Sequence, residues 1–161
     1  MKIAIGSDHR GFALKTRINQ LLHEMGHEVQ DVGTSDSQQV DYTDFGEAVS
    51  RKVSTGEVDR GILICGTGIG MAITANKLPG VRAATAHDVL TAEMCRRHND
   101  VNVLCLSGDM LGERPIDTMM HTWLETAFDG GRHARRLDKI RAIEESVQRH
   151  GCDDEPHKQC N

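Results

Sequence analysis

Aromatic residues are scarce in this chain: they make up 3% of its 161 residues, with one tryptophan and one tyrosine. Proteins that bind single-stranded nucleic acids stack the bases on aromatic side chains, so this class is disfavoured. The formal net charge of −5 also argues against a nucleic-acid surface. We therefore expect no nucleic-acid partner.

Long apolar runs are missing as well. No run approaches the roughly 20 residues that a membrane-spanning helix needs. The N-terminus is charged and strand-like, unlike the apolar core of a signal peptide. We therefore expect no membrane partner and a cytoplasmic location.

The five cysteines are too few and too irregular for a disulfide framework or a zinc site. Their number is odd, and no Cys-x-x-Cys pair occurs. Of the nine histidines, His23 and His27 have the His-x-x-x-His spacing, but Gly26 ends the predicted first helix between them, so they form no helix pair and we expect no metal site. Cys152 and Cys160 lie in a polar C-terminal segment, where we regard them as incidental.

Short β-like runs alternate with helical patterns along the chain, which is typical of a parallel sheet covered by helices on both faces. The length fits one α/β domain, predicted over 1–150, followed by a polar, flexible tail at 151–161. No internal repeat is evident. The predicted strands cover 2–6, 28–32, 61–64, 81–85 and 101–106.

Apolar stripes at helical spacing predict the helices between and after these strands. Pro115 is well placed to open the fifth helix, because its fixed φ suits a first helical turn. The last helix is predicted over 132–148. The predicted buried positions are Leu14, Ile18, Leu21, Leu22 and Met25 in the first helix, Phe45, Ala48, Val49 and Val53 in the second, Ile116, Met119, Met120, Trp123, Leu124 and Ala127 in the fifth, and Leu137, Ile140 and Val147 in the last.

The most informative stretch is the glycine loop, residues 65–70, which follows an apolar strand. Backbone N–H groups exposed in such a loop, where it opens a helix, can bind an anion. The same positive field favours the thiolate of Cys65. The loop lacks the Gly-Lys-Ser/Thr of a P-loop and the glycine spacing of a dinucleotide fingerprint. The alternative is an ordinary tight turn beside a buried cysteine.

Polar clusters follow the first, third and fifth predicted strands. They occupy residues 7–11, 65–70 and 107–109. In an open α/β sheet, ligands bind at the carboxyl ends of the strands. If the first and third strands are neighbours, Asp8 and His9 lie next to Cys65.

Two further polar clusters lie on helices. Residues 96–100 close the fourth helix, and residues 130–136 open the last one. Arg132 and Arg136 are four apart, so they share a helix face and can together contact phosphate oxygens. The alternatives are a helix-capping role for His98 and a solvated face for the two arginines.

Together these motifs resemble the ribose-5-phosphate isomerase type B family, within the wider group of galactose- and allose-6-phosphate isomerases. The resemblance covers residues 1–148. The matching strings are Gly6-Ser7-Asp8-His9 with Gly11 and Lys15, Asp41-Tyr42, Ile64-Cys65-Gly66-Thr67-Gly68-Ile69-Gly70, Ala75-Asn76-Lys77, Arg97-His98-Asn99-Asp100, Asn102-Val103-Leu104, and Gly131-Arg132-His133 with Arg136.

The resemblance implies a three-layer, Rossmann-like α/β/α fold with five parallel strands in the order 2-1-3-5-4. It implies a homodimer, or a tetramer of dimers, whose active sites are built across the subunit interface. The implied reaction interconverts ribose 5-phosphate and ribulose 5-phosphate through a cis-enediolate, as in the pentose phosphate pathway. No metal or cofactor is implied.

The resemblance also implies a role for particular residues. Cys65 would be the base that moves a proton between C1 and C2, and Thr67 would assist it. His98 would open the furanose ring of a substrate held by the neighbouring subunit. The implied substrate contacts are Asp8, His9, Tyr42 and Asn99 to the sugar, Arg132 and Arg136 to the phosphate, and the backbone amides of Gly66, Thr67, Gly68, Ile69 and Gly70 to the enediolate oxygens.

One position departs from the resemblance: Asp109 stands where the family usually has a phosphate-binding arginine. A carboxylate there repels a phosphate dianion unless it points away, pairs with an arginine or meets a differently placed phosphate. Arg114 and Arg135 are the candidate partners.

Two alternative functions remain open from the sequence. The same machinery could isomerise a hexose 6-phosphate such as allose 6-phosphate. A non-catalytic nucleotide-binding module of the universal stress protein type is also a small α/β dimer. That type carries its glycine motif after the fourth strand, where this chain has Ala86-His87-Asp88.

Overall fold

The computed structural model describes residues 1–110 and 115–153, with side chains up to residue 149. The chain divides into two compact units, Met1–Phe128 and Asp129–Asn161, and each is described by itself.

The first unit contains a five-stranded parallel sheet in the order β2-β1-β3-β5-β4, as predicted. Its strands are β1 (Lys2–Ser7), β2 (Glu28–Asp31), β3 (Arg60–Cys65), β4 (Ala83–Thr85) and β5 (Val103–Ser107). The register pairs Ser7 with Ile64 and Cys65 with Ser107. The carboxyl ends of β1, β3 and β5 therefore lie side by side.

In the described part of the same unit, five helices cover the sheet. They are α1 (Phe12–Glu24), α2 (Tyr42–Ser54), α3 (Ile69–Ala75), α4 (Val89–Asn99) and α5 (Ile116–Glu125). Alternate strand residues enter two apolar clusters, so that Ile3 and Ile5 lie in one and Ala4 in the other. The cluster with Ile3 also contains residues of α1, α4 and α5, and the other contains residues of α2 and α3. This confirms the three-layer α/β/α arrangement.

The apolar stripe of α5 packs in the core, and its predicted burial is confirmed for every residue up to Leu124. Met119, Met120 and Trp123 are fully buried. The helix ends at Glu125, so Ala127 lies beyond it and is exposed, contrary to the prediction. Arg60 donates to the carbonyl oxygens of the last turn and lies 5.1 Å from the Trp123 ring.

The second unit contains α6 (Arg132–Asp153). It begins after Gly130 and Gly131 and continues beyond the predicted end at residue 148. Ile140 and Val147 are 52% and 67% exposed, so their predicted burial was wrong. A helix that buries one face needs a broad apolar stripe, whereas charged residues occupy most of the neighbouring positions here.

Parts of two sequence predictions lie outside the described residues. They are residues 154–161 of the predicted tail, which include Cys160, and residues 111–114, which include Arg114. Among the described residues, no helix is long and apolar enough to cross a membrane.

Candidate active site

Cys65 is the last residue of β3, and its side chain lies under the glycine loop. Its Sγ accepts a hydrogen bond from the backbone N–H of Gly68 at 3.2 Å, and the residue is 5% exposed. Gly68 has a φ of 78°, the left-handed conformation that glycine tolerates best. This turn directs its amide back towards Cys65 and lets α3 begin at Ile69.

The end of β5 holds the glycine loop in place. The Ser107 hydroxyl donates to the Gly66 carbonyl oxygen at 2.6 Å and accepts from the Met110 N–H at 2.8 Å. The Gly108 N–H donates to the carbonyl oxygen of Cys65 at 2.8 Å. Ser107 is fully buried, so these bonds fix the loop from inside the fold. Its positioning role was not predicted from the sequence, although it belongs to the polar cluster after the fifth strand.

The tip of the loop is accessible. Thr67 is exposed, and its hydroxyl oxygen accepts from the Ile69 N–H at 3.3 Å. Ile69 is 55% exposed. Thr67 and Ile69 therefore lie at the surface, while Gly66 and Gly68 on either side of Thr67 are buried with the sulfur.

Asp8 lies directly beside the end of β3. Its N–H donates to the carbonyl oxygen of Ile64 at 3.2 Å. Its carboxylate is buried and accepts from the backbone N–H groups of Arg10 and Gly11, at 2.9 and 3.1 Å. A Cβ at Gly11 would lie 2.8 Å from the Ile64 carbonyl oxygen, so glycine permits this close approach.

His9 follows Asp8 and is fixed by a different contact. Its Nδ1 accepts from the backbone N–H of Val40 at 3.3 Å. An acceptor role for Nδ1 leaves the proton of the neutral ring on Nε2. The ring can therefore donate a hydrogen bond through Nε2.

Tyr42 begins α2, and its ring lies against the glycine loop. A Cβ at Gly70 would lie only 2.7 Å from ring atoms of Tyr42. The tyrosine is 39% exposed. The side chain of Tyr42 thus covers the loop where α3 begins.

Asp109 pairs with Arg10. Arg10 Nη2 forms an ion pair with Oδ2 of Asp109, and Nε donates to Oδ1 at 3.3 Å. The pair lies against Gly66, where a Cβ would be 2.9 Å from the carboxylate and 3.1 Å from the guanidinium. Arg10 was not among the expected partners; of those, Arg114 lies outside the described residues and Arg135 belongs to the second unit. The adjacent ends of β1, β3 and β5 explain the pairing.

The other two cysteines of the first unit are held as thiols. Burial raises the pKa of Cys95 to about 11. Burial, followed by the charge of Cys65, raises the pKa of Cys105. Neither side chain is suited to proton transfer near neutral pH.

His98 and Asn99 lie at the end of α4, away from Cys65. The chain from there enters the amino end of β5, and the buried Arg96 donates to the Val101 carbonyl oxygen at 2.6 Å. Cys65 lies at the carboxyl end of β3, at the opposite edge of the sheet. One chain thus brings Asp8 and Tyr42 to the glycine loop but does not bring His98 there.

Arg132 and Arg136 belong to the second unit. Both are exposed near the start of α6, and their spacing of four places them on one side of that helix.

These features define an enzyme on an open parallel sheet, with a cysteine, an acid and an amide-lined loop at the carboxyl edge. The chain belongs to the Ribose/Galactose Isomerase family, whose model matches residues 3–140. It is an aldose–ketose isomerase.

Individual relatives cover almost the whole chain. Ribose-5-phosphate isomerase B of Escherichia coli is 44% identical over 144 residues, which cover 89% of this chain and 97% of that protein. A 4-deoxy-4-sulfo-D-erythrose isomerase of a Clostridium species is 40% identical over 159 residues, covering 94% of this chain and 100% of that protein. The structure of Clostridium thermocellum ribose-5-phosphate isomerase B is 49% identical, with a TM-score of 0.88, and the match covers 91% and 99% of the two chains.

Proposed function

We propose that the protein interconverts ribose 5-phosphate and ribulose 5-phosphate, with Cys65 as the base. One observation carries this proposal: the sulfur of Cys65 accepts a hydrogen bond from the Gly68 N–H, in the glycine loop at the start of α3. The names of the Escherichia coli relative and of the Clostridium thermocellum structure support the choice of sugar.

The proposed step begins with the open-chain aldose. The thiolate of Cys65 takes the proton from C2, the electron pair forms a C1=C2 bond, and the negative charge moves to the oxygen on C1. The amides of Gly66–Gly70 stabilise the cis-enediolate oxygens, which is the contribution expected of preorganised donors. The Thr67 hydroxyl relays the proton from the C2 oxygen to the C1 oxygen. Cys65 then returns its proton to C1, which gives the ketose.

The remaining contacts hold the sugar. We assign Asp8, His9, Tyr42 and Asn99 to the sugar hydroxyls, because hydroxyl groups need both donors and acceptors. We assign Arg132 and Arg136 to the terminal phosphate, since guanidinium groups bind phosphate oxygens through paired hydrogen bonds. In this scheme Cys65 transfers the proton and the loop amides stabilise the negative charge on the oxygens, so it uses no metal or cofactor.

The position of His98 leads us to propose an assembly of at least two copies. Cys65 and His98 lie at opposite edges of the sheet in one chain. They can act on one sugar only if His98 comes from a neighbouring copy, as in a homodimer or a tetramer of dimers. His98 would then open the furanose ring, a proton transfer that suits an imidazole near neutral pH. We place this activity in the cytoplasm.

A four-carbon sugar that ends in a sulfonate is a second candidate substrate. The Clostridium relative that aligns over its full length is named for such a sugar. The Asp109 carboxylate beside the glycine loop favours this candidate, because a carboxylate repels a sulfonate monoanion less than a phosphate dianion.

A coupled isomerase assay tests the proposed function. The panel contains ribose 5-phosphate, allose 6-phosphate, D-erythrose 4-phosphate and 4-deoxy-4-sulfo-D-erythrose. We expect the highest kcat/KM for ribose 5-phosphate. Higher values for another sugar would overturn the choice of substrate, and no turnover of any sugar would overturn the reaction.

A further inference from the structure

We propose that Arg10 and Asp109 together set the specificity for the charge of the substrate's terminal anion. Arg10 attracts the anion, and Asp109 lowers the advantage that a dianion would otherwise have over a monoanion. This inference rests on the proposed isomerisation at Cys65.

The Arg10–Asp109 pair lies next to the proposed base. Arg10 and Asp109 lie against Gly66, the residue that directly follows Cys65. A short sugar whose C1 and C2 meet the sulfur has its terminal group only a few bond lengths away. Both side chains are accessible, at 58% and 35% exposure. An anionic end group can therefore reach the pair without a change in the fold.

The geometry of the pair leaves N–H donors of Arg10 available to a ligand. Arg10 uses Nε and Nη2 on the carboxylate, which fixes the plane of the guanidinium. A guanidinium has five N–H donors, so others remain for the oxygens of a ligand. The backbone N–H of Asp109 donates to the Gly66 carbonyl oxygen at 3.3 Å, which ties the acid to the loop. Asp109 therefore orients Arg10 while adding a negative charge beside it.

The charge of the ligand decides the outcome. Phosphate and sulfonate end groups both present tetrahedrally arranged oxygens, but near neutral pH the phosphate carries up to one additional negative charge. The repulsion from Asp109 grows in proportion to the ligand charge. The carboxylate therefore disfavours the phosphate more than the sulfonate, even though both can accept the same hydrogen bonds from Arg10.

The test compares two sugars with the same four-carbon chain, D-erythrose 4-phosphate and 4-deoxy-4-sulfo-D-erythrose. The measured quantity is the ratio of their kcat/KM values. Asp109→Asn keeps the shape of the side chain and removes its charge, so we expect the ratio to shift towards the phosphate by about tenfold. Asp117→Asn is the matched control, because Asp117 forms an exposed ion pair with Arg17 on α1. Its ratio should equal that of the wild type.

A second variant tests whether Arg10 attracts the anionic end group. Arg10→Gln removes the positive charge of the side chain, so kcat/KM should fall for both sugars. An unchanged ratio in Asp109→Asn, or unchanged kcat/KM values in Arg10→Gln, would overturn the proposal. If the wild type turns over neither tetrose, the same ratio is taken from their inhibition constants against ribose 5-phosphate.

If the proposed isomerisation is wrong, the wild type will isomerise none of the sugars tested. Calorimetric Kd values for the two tetroses would still decide the specificity proposal, because the expected shift in Asp109→Asn concerns binding of the end group.

Discussion

Arg10 and Asp109 form a two-contact ion pair across the carboxyl edge of the sheet. Arg10 follows β1 and Asp109 follows β5, while β3 and its terminal Cys65 lie between these strands. The pair therefore spans the strand that carries the proposed base. This places one cation and one anion at the glycine loop, instead of the single cation that the resemblance implied at position 109.

The Arg10–Asp109 pair should contribute little to stability. Exposed ion pairs typically contribute less than about 1 kcal/mol, because water screens them. We expect Asp109→Asn to change the free energy of unfolding, measured in urea, by less than about 1 kcal/mol. Asp31→Asn provides the contrast, since it leaves the buried Lys15 ammonium without its carboxylate and should cost about 3 kcal/mol. Equal losses in the two variants would contradict this assignment.

The absence of a side chain at Gly70 should favour substrate binding by leaving room for the Tyr42 ring. Gly70→Ala would place a Cβ 2.7 Å from the Tyr42 ring, so the ring has to move away from the loop. We expect KM to rise several-fold, while the unfolding midpoint stays close to that of the wild type because the exposed ring can move. Gly80→Ala is a control at a glycine with no atom near its Cβ position, although its positive φ costs some stability. A KM in Gly70→Ala equal to that of Gly80→Ala would show that the position of the ring is unimportant.

His98 should matter for ring opening. His98→Asn should lower kcat/KM for ribose 5-phosphate by about 100-fold, the lower range for a positioned acid or base. The loss should be much smaller on D-erythrose 4-phosphate, which cannot form a furanose ring. His121→Asn, at an exposed position of α5, is the control and should leave both activities unchanged. Comparable losses of His98→Asn on both sugars would exclude the ring-opening role.

The fold could be predicted from the sequence because its signals are local and repeated. Alternating strands and helical stripes give the layers, and the apolar stripe of α5 gives the core position of Trp123. The predicted burial of Ile140 and Val147 was wrong because it counted apolar positions at helical spacing and ignored the charged residues between them, which leave the apolar stripe too narrow. The helix boundaries differ by a few residues, since ends are set by caps such as Asp88 at the start of α4.

The site could be predicted only in part. The loop at Cys65 follows from glycine spacing, and the strand order brings Asp8 to it. The partner of Asp109 depends on which long side chain reaches across β3, and no sequence spacing encodes that contact. The place of His98 follows more directly, because a helix that connects two parallel strands ends at their amino ends, and the resemblance had already assigned His98 to a substrate held by the neighbouring subunit.

A mixing experiment should reveal whether two copies share a site. Cys65→Ala and His98→Asn should each retain about 1% or less of the wild-type activity on ribose 5-phosphate. If Cys65 of one copy acts with His98 of another, unfolding and refolding the two variants together at equal amounts gives mixed dimers with one intact site. Activity should return to about a quarter of the wild-type value. No recovery, with mixed dimers shown by mass spectrometry, would contradict the shared site.

The central claim is that Cys65 moves the proton between C1 and C2. Its most direct test is the rate at which ribulose 5-phosphate exchanges its C1 proton with D₂O, compared between Cys65→Ala and the wild type. We expect this rate to fall by about 10²–10⁴-fold, the usual loss for a general base. Cys95→Ala should retain the wild-type rate, because Cys95 is a thiol on α4 with its pKa raised to about 11 by burial. Exchange in Cys65→Ala at the wild-type rate would show that another group is the base.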